Sequence, residues 1–433
     1  MIPSLVIFII AYILIATDRL DKTTVVLIGA GLMLFFRLIT FENAVAAIDL
    51  NVIFLLVGMM TSVFVLAKTG FFEWVAIIVA KLARGNPMLI TLLFLIVTAI
   101  LSAFLDNVTT IILLAPVTIL IMQILEISPV PLLILEVIAS NIGGAATLIG
   151  DPPNIIVGSQ ANLSFNDFLI NLFPVVSVMF VVFLLTVYIL FRRRWNISGQ
   201  IRKRVIESVP HLAIIDRKNM IKALVVLSFI FLGFFTHTLT GVKPGVIALF
   251  GAMVMTLVCK VEIDRTFKSV EWSVVFFFIG LFMMVAALEH NGVIEFLAQG
   301  LLNAAGSNLF ILCVVILCGS ALLSSVLDNI PFVVTMIPMV KSIIGKVSLS
   351  YGLADASLIQ AQIAYPLWWS LVLGVCLGGN GTLIGASANV VMAKISQRNK
   401  YPVSFMKFSK YGFPFMLQTL VISVLYIWIR YFL

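Results

Sequence analysis

The feature that most narrows what this chain can become is its series of uninterrupted apolar runs, among them residues 52–67 and 175–191. Stretches of about 17–25 apolar residues match the hydrocarbon thickness of a bilayer. No water reaches the backbone there, so each run must satisfy its own N–H and C=O groups, which a helix does. Across 433 residues, 62% are hydrophobic, 11% are charged, and the mean hydropathy is +1.19. A water-soluble protein could not hide that much apolar surface. The chain reads as an all-α integral membrane protein. Residues 1–17 are apolar, lack a basic leader and run into Asp18-Arg19. They are expected to be a retained first span and not a cleaved signal.

Other classes lose support in turn. Cys259, Cys313, Cys318 and Cys376 lie in or beside apolar stretches without a CxxC pair, so no disulfide framework or zinc site is indicated. His211, His237 and His290 are scattered, and no metal or other cofactor is implied. The net charge of +8 sits in loops between apolar runs. The positive-inside rule explains that better than a nucleic-acid surface does. Gly345-Lys346 lacks the remaining glycine and hydroxyl residue of a phosphate-binding loop. If such a chain moves solutes, it runs on ion gradients unless a separate soluble ATPase subunit drives it.

The chain also repeats itself. Asn51-Val-Ile-Phe-Leu-Leu-Val-Gly58 resembles Ser273-Val-Val-Phe-Phe-Phe-Ile-Gly280, Ser102-Ala-Phe-Leu-Asp-Asn107 resembles Ser324-Ser-Val-Leu-Asp-Asn329, and Pro116 pairs with Pro338. All are 222 positions apart. Thr147-Leu-Ile-Gly150 returns as Thr382-Leu-Ile-Gly385, now 235 apart, which puts an insertion of 13 near the polar residues 348–362. The expected plan is a first repeat over 1–191, a basic cytoplasmic linker over 192–222, and a second repeat over 223–433. Each repeat would have about five transmembrane helices, a re-entrant hairpin (near 88–125 and 309–344) and a broken helix (near 132–160 and 364–395). An odd number of crossings inverts the second repeat. With the linker inside, both termini lie outside. Only Arg37, Lys243, Lys341, Lys346 and Arg430 then fall outside, and the other 22 of 27 basic residues fall inside. Inverted repeats with broken helices typify secondary transporters with a site near the midplane.

Two constellations carry the chemistry. A charge at mid-bilayer costs about 2.5–3.5 kcal/mol even on the mildest scale, so Asp106-Asn107-Val108-Thr109-Thr110 and Asp328-Asn329-Ile330-Pro331 are expected at hairpin tips facing protein or water. Polar glue between helices would use similar residues. Finding the pair twice, in equivalent places, favours a site. The second constellation is Asn141-Ile-Gly-Gly-Ala-Ala-Thr-Leu-Ile-Gly-Asp-Pro-Pro-Asn154, with its partner Gly378-Gly-Asn-Gly-Thr-Leu-Ile-Gly-Ala-Ser-Ala-Asn389. Its glycines and prolines predict an unwound stretch whose freed backbone and side chains become ligands. Candidate ligands are Ser102, Asp106, Asn107, Thr109, Thr110, Asn141, Thr147, Gly150, Asp151, Asn154, Ser324, Asp328, Asn329, Asn380, Thr382, Gly385, Ser387 and Asn389. Asp151 aligns with Ala386, so the halves differ there. Asp106, Asp151 and Asp328 are the candidates for proton coupling, because desolvation favours the neutral carboxyl. No Lys or Arg lies within the motifs, which points to a proton, sodium or a neutral polar solute. Glu289 and Glu295 read as a solvated outer loop. Trp368-Trp369 read as an interfacial anchor or as packing in the inserted region.

At these hairpins and loops the sequence resembles the ion transporter superfamily, on the branch holding arsenite permeases, NhaD sodium-proton antiporters and the melanosomal P protein. The resemblance spans nearly the whole chain. It implies a scaffold with a mobile, elevator-type transport domain in the cytoplasmic membrane, and commonly a homodimer. The arsenite permeases imply proton-coupled export of arsenite or antimonite, a small neutral polyol-like cargo that suits an acid-lined site. Sodium-proton antiport is the alternative, and sodium-coupled dicarboxylate symport a weaker one. An intramembrane aspartyl protease would need its two acids on adjacent spans in a Gly-rich setting, which the symmetric Asp-Asn pairs do not offer. A passive channel would ignore the proton gradient.

Overall fold

The computed structural model describes residues 1–16, 20–192, 213–306 and 308–433. Every regular element among them is helical, and ten helices are long and apolar enough to cross a bilayer. Peripheral helices present their apolar side chains outward. Phe173–Phe191 and Arg217–Thr240 have only 28% of their spanning windows buried, and Val178, Val181, Leu185 and Ile189 form an exposed stripe at helical spacing. Central helices are enclosed. In Val130–Gly144 every residue except Pro131 is buried, and 83% of the window in Ala356–Gly378 is buried. The chain is a multi-pass membrane protein, with its core around these two helices.

The element order runs twice. The first series is Ile2–Ala16, Lys22–Phe35, the short Phe41–Ala46, Leu50–Ala67, Phe71–Leu82, a hairpin (Pro87–Phe104 and Asn107–Ile124), a broken helix (Val130–Gly144 and Pro152–Gln160) and Phe173–Phe191. The second is Arg217–Thr240, Pro244–Val258, Ile263–Lys268, Trp272–His290, Val293–Ala305, a hairpin (Leu309–Val326 and Asn329–Ser350), a broken helix (Ala356–Gly378 and Ser387–Arg398) and Phe405–Tyr431. Equivalent residues start equivalent helices. Asn86 and Asn308 each cap the first hairpin arm, accepting from backbone N–H groups of the first turn.

Packing between the series is reciprocal. Leu50–Ala67 packs on Pro244–Val258, while Trp272–His290 packs on Lys22–Phe35. The second hairpin arm Asn107–Ile124 packs on Ser387–Arg398, while Asn329–Ser350 packs on Pro152–Gln160. Such exchange of partners is what a local two-fold relation produces. Each first hairpin arm lies against the broken helix of its own half, held close by a glycine. A Cβ on Gly143 would sit 2.3 Å from the Ala99 carbonyl oxygen, and one on Gly378 would sit 2.5 Å from that of Ala321.

Several expectations need correction. Helix continues through Gly143-Gly144 and resumes at Pro152, so the unwound stretch is residues 145–151 and not the whole of 141–154. Glycine is tolerated inside a helix when it permits close approach, and proline fits the first helical turn. The inserted residues lengthen helices. Asn329–Ser350 has 22 residues against 18 in Asn107–Ile124, and Ala356–Gly378 has 23 against 15 in Val130–Gly144. Trp368 and Trp369 are buried in the core, where Trp369 meets Phe168 edge-on and stacks on Tyr365, so they are no interfacial anchor. Glu289 and Glu295 are exposed but helical, and Glu295 pairs with Lys346. Most of the expected linker, residues 193–212, lies outside the described residues. Its last part forms the start of Arg217–Thr240, capped by Asp216.

Candidate transport site

Both hairpins turn in two residues. Leu105 and Leu327 leave the first arm in extended conformation, and Asp106 and Asp328 stand at the N-caps of the second arms. The following asparagines, Asn107 and Asn329, are buried and reach the same carboxylate. Asn107 Nδ2 lies 3.2 Å from Asp151 Oδ1, and Asn329 Nδ2 lies 3.3 Å from it. Asp151 is fully buried. Two prolines follow it, so its own helix offers no N–H at the first two positions to engage the side chain. Its carboxylate instead faces the two tips. Among the described residues no Lys, Arg or His forms an ion pair with it.

Amides continue the network. Asn107 Nδ2 also donates to Asn141 Oδ1 at 3.2 Å, and Asn141 Nδ2 donates to Asn380 Oδ1 at 2.9 Å and Asn389 Oδ1 at 3.2 Å. Asn389 closes its own loop through Gly379 O and Thr382 O, at 2.7 and 2.8 Å. Asn154 does the same with Gly144 O and Thr147 O, at 3.1 and 2.7 Å. Cys376, which aligns with Asn141, donates to Asn154 Oδ1 at 3.1 Å, mirroring the bond from Asn141 to Asn389. The Nδ2 of Asn380 is buried without a partner among the described residues.

The remaining candidates join loops to tips, again in matched pairs. Ser102 donates to Ser140 O at 2.8 Å, and Ser324 to Val375 O at 2.9 Å. Thr147 donates to Ala103 O, and Thr382 to Ser325 O. A Cβ on Gly150 or Gly385 would strike the carbonyl oxygens of Gly144 or Gly379, at 2.5 and 2.9 Å, so only glycine folds the loop this tightly. Thr110 bonds back to Asp106 O at 3.0 Å. Loop and tip are therefore hydrogen-bonded to each other in each half.

The two tip carboxylates differ. Asp106 caps its helix, accepting from Thr109 N at 2.9 Å and from the Thr109 hydroxyl. At the equivalent of Thr109 stands Pro331, which has neither N–H nor hydroxyl. Asp328 makes no cap bond. Its Oδ2 accepts from Lys22 Nζ and Ser387 Oγ, both at 2.8 Å, while Oδ1 is buried without a partner among the described residues. This corrects the expectation that the acids lack a basic neighbour. Lys22 is 306 residues from Asp328 in sequence, so reading within motifs could not find it. A cavity of about 400 Å³ opens beside the pair, lined by Lys22, Thr23, Ser273, Asp328, Ser387 and Lys394 among others. At its rim the Thr24 N–H and hydroxyl hold the exposed Asp21 carboxyl below the usual carboxylate range.

Sequence reading also missed Glu136. It is fully buried in Val130–Gly144, and its Oε1 accepts from Thr118 Oγ1 at 2.6 Å, while Oε2 is unpartnered among the described residues. A lone glutamate inside an apolar run, with Leu371 at the equivalent position, was the available signal.

Comparison with known proteins identifies the family. A family model described as citrate transporter matches residues 12–374. A 46 kDa membrane protein of Mycobacterium leprae is 40% identical over 432 residues, covering 99% of this chain and 98% of that protein. An uncharacterized transporter of Mycobacterium tuberculosis is 42% identical over 439 residues, covering 100% and 99%. The P protein of Mus musculus is 31% identical over 505 residues, covering 97% of this chain and 59% of that protein. With a helical hairpin and a broken helix in each half, and matches of this extent, the chain is a membrane transporter of the citrate transporter family, within the ion transporter superfamily and related to P protein.

Proposed function

We propose that the chain is a secondary transporter that exports arsenite or antimonite in exchange for protons, with Asp151 as the residue that takes the coupling proton. The observation that carries this reading is the single buried carboxylate met by amides from both hairpin tips, with no cationic side chain paired to it among the described residues. An intramembrane carboxylate without a counter-ion is a functional site by default. The surrounding asparagines supply both donors and acceptors, which suits a neutral cargo rich in hydroxyl groups.

In this reading the two halves have inverted topology, and hairpins and broken helices move together as an elevator against the remaining helices. The matched bonds that tie loop to tip within each half support their moving as a body. Everted vesicles containing the chain should accumulate arsenite when acidified inside, and a protonophore should abolish the accumulation. Vesicles that accumulate none sink the proposal.

Sodium-proton antiport is the second reading, favoured by the concentration of amide oxygens beside Asp151, which are ligands a hard cation accepts. A sodium pulse that releases protons without arsenite would select it. The family description names citrate, and Lys22 and Lys394 in the cavity beside Asp328 are where a carboxylate cargo would be met. Citrate therefore belongs in the same assay as a competitor.

A further inference from the structure

Lys22 occupies an unfavourable place for a cation. It is the first residue of Lys22–Phe35, where the helix dipole and unpaired N–H groups favour negative charge. Its ammonium nevertheless turns to Asp328, 2.8 Å away, and the side chains are 27% and 5% exposed. The pair links the second helix of the chain to the tip of the second hairpin. Lys22–Phe35 packs on Trp272–His290 and Ile2–Ala16, whereas Asp328 belongs to the second hairpin. Asp328 is free to make this contact because Pro331 withdrew the cap that its twin Asp106 enjoys. One oxygen of Asp328 has no partner among the described residues and lies beside a cavity with room for a small solute.

We propose that Lys22 is the built-in counter-ion of the unloaded transporter. It neutralises Asp328 while the site holds no arsenite, on the limb where Asp151 carries the coupling proton, and yields the carboxylate to arriving arsenite, whose hydroxyl donors replace the ammonium. The hairpin then moves without an exposed carboxylate in either condition. This rests on the reading of the chain as a carrier that exchanges arsenite for protons and names a residue that governs its arsenite-free return step.

The test compares two fluxes of the purified full-length chain in proteoliposomes, with arsenite as the probe. Net efflux into arsenite-free medium requires the carrier to return without arsenite. Exchange between arsenite on both sides does not. For Lys22→Gln we expect net efflux to fall about tenfold or more, because an unpaired carboxylate is costly in apolar surroundings, while exchange stays within about twofold of wild type. Lys22→Arg should keep both fluxes. A parallel fall of net efflux and exchange, or no change in either, overturns the proposal. Should Lys22→Gln fail to fold, as judged by gel filtration, Lys22→Gln/Asp328→Asn removes both charges, and its ratio of net to exchange flux should equal that of wild type. A ratio reduced about tenfold in that pair would overturn it too. Absence of arsenite exchange in wild type would instead reject the transport reading itself.

Discussion

Asp106 and Asp328 show how one substitution three residues away redirects a side chain. Thr109 supplies a backbone N–H that holds Asp106 at its cap, and Pro331 supplies none, which leaves Asp328 to Lys22. Asparagine caps helices as well as aspartate does, and alanine costs about 1 kcal/mol. Asp106→Asn should therefore keep stability and transport close to wild type, and Asp106→Ala should lower stability by about 1 kcal/mol in a detergent melt. A loss of gradient-driven transport in Asp106→Asn comparable to that in Asp151→Asn would return Asp106 to a coupling role. Glu136 calls for a similar comparison. Glutamine preserves the shape and the oxygen that Thr118 donates to, whereas leucine leaves that buried hydroxyl without its acceptor, a loss of about 1–3 kcal/mol. Glu136→Gln should then melt near wild type and Glu136→Leu well below it. Much at this scale was legible in the sequence: the asparagines and Asp151 that meet at the centre all lie in motifs flagged by repetition and by glycine and proline. Lys22 and Cys376 were not legible, because each sits in an otherwise ordinary terminal or apolar stretch and gains its meaning only from a partner distant in sequence, whereas Glu136 was signalled by its charge within an apolar run.

At the level of elements, the hairpins and broken helices are built by local rules. Asn86 and Asn308 start the hairpin arms, and prolines restart the helices after the first unwound loop. The unwound loop is shorter than its glycine content suggests, since Gly143 and Gly378 serve contact between helices and not backbone freedom. Composition alone does not separate those two uses. Space around each glycine does. Gly143→Ala and Gly378→Ala would each drive a methyl against a backbone carbonyl, at 2.3 and 2.5 Å, whereas Gly31 has nothing within 4 Å of its Cβ position. Overpacking of this kind costs about 1–3 kcal/mol. Thermal unfolding in detergent should fall for both variants and not for Gly31→Ala. Equal melting of all three would mean that the hairpin and broken helix are not held at the spacing described.

At the scale of the whole molecule, two series of elements exchange partners as a two-fold relation requires. The expectation of a repeat rests on equivalent residues that stand at fixed offsets. The scaffold around it was less legible, since lipid-facing helices share only apolar composition. The inverted orientation has a sharp test at one recurring turn. Lys22–Phe35 and Pro244–Val258 both end in the same bend, with Arg37 and Lys260 each at φ 53°. Inversion puts these equivalent turns on opposite sides of the membrane. In intact cells, with the native cysteines replaced, an impermeant thiol reagent should label Arg37→Cys and spare Lys260→Cys. Labelling of both would contradict the inverted topology.

The coupling role proposed for Asp151, which aligns with Ala386 in the other half, rests on its buried carboxyl. It is tested most directly by measuring protons and arsenite together in proteoliposomes, for wild type and for Asp151→Asn. Asparagine fills the same space and still accepts from Asn107 and Asn329, but it cannot exchange a proton. The wild type should move protons against arsenite in a fixed ratio. Asp151→Asn should fold and lose gradient-driven accumulation by about tenfold or more, as expected when an intramembrane carboxylate that relays protons is removed. Proton-coupled accumulation of arsenite by Asp151→Asn at the wild-type ratio would contradict the account.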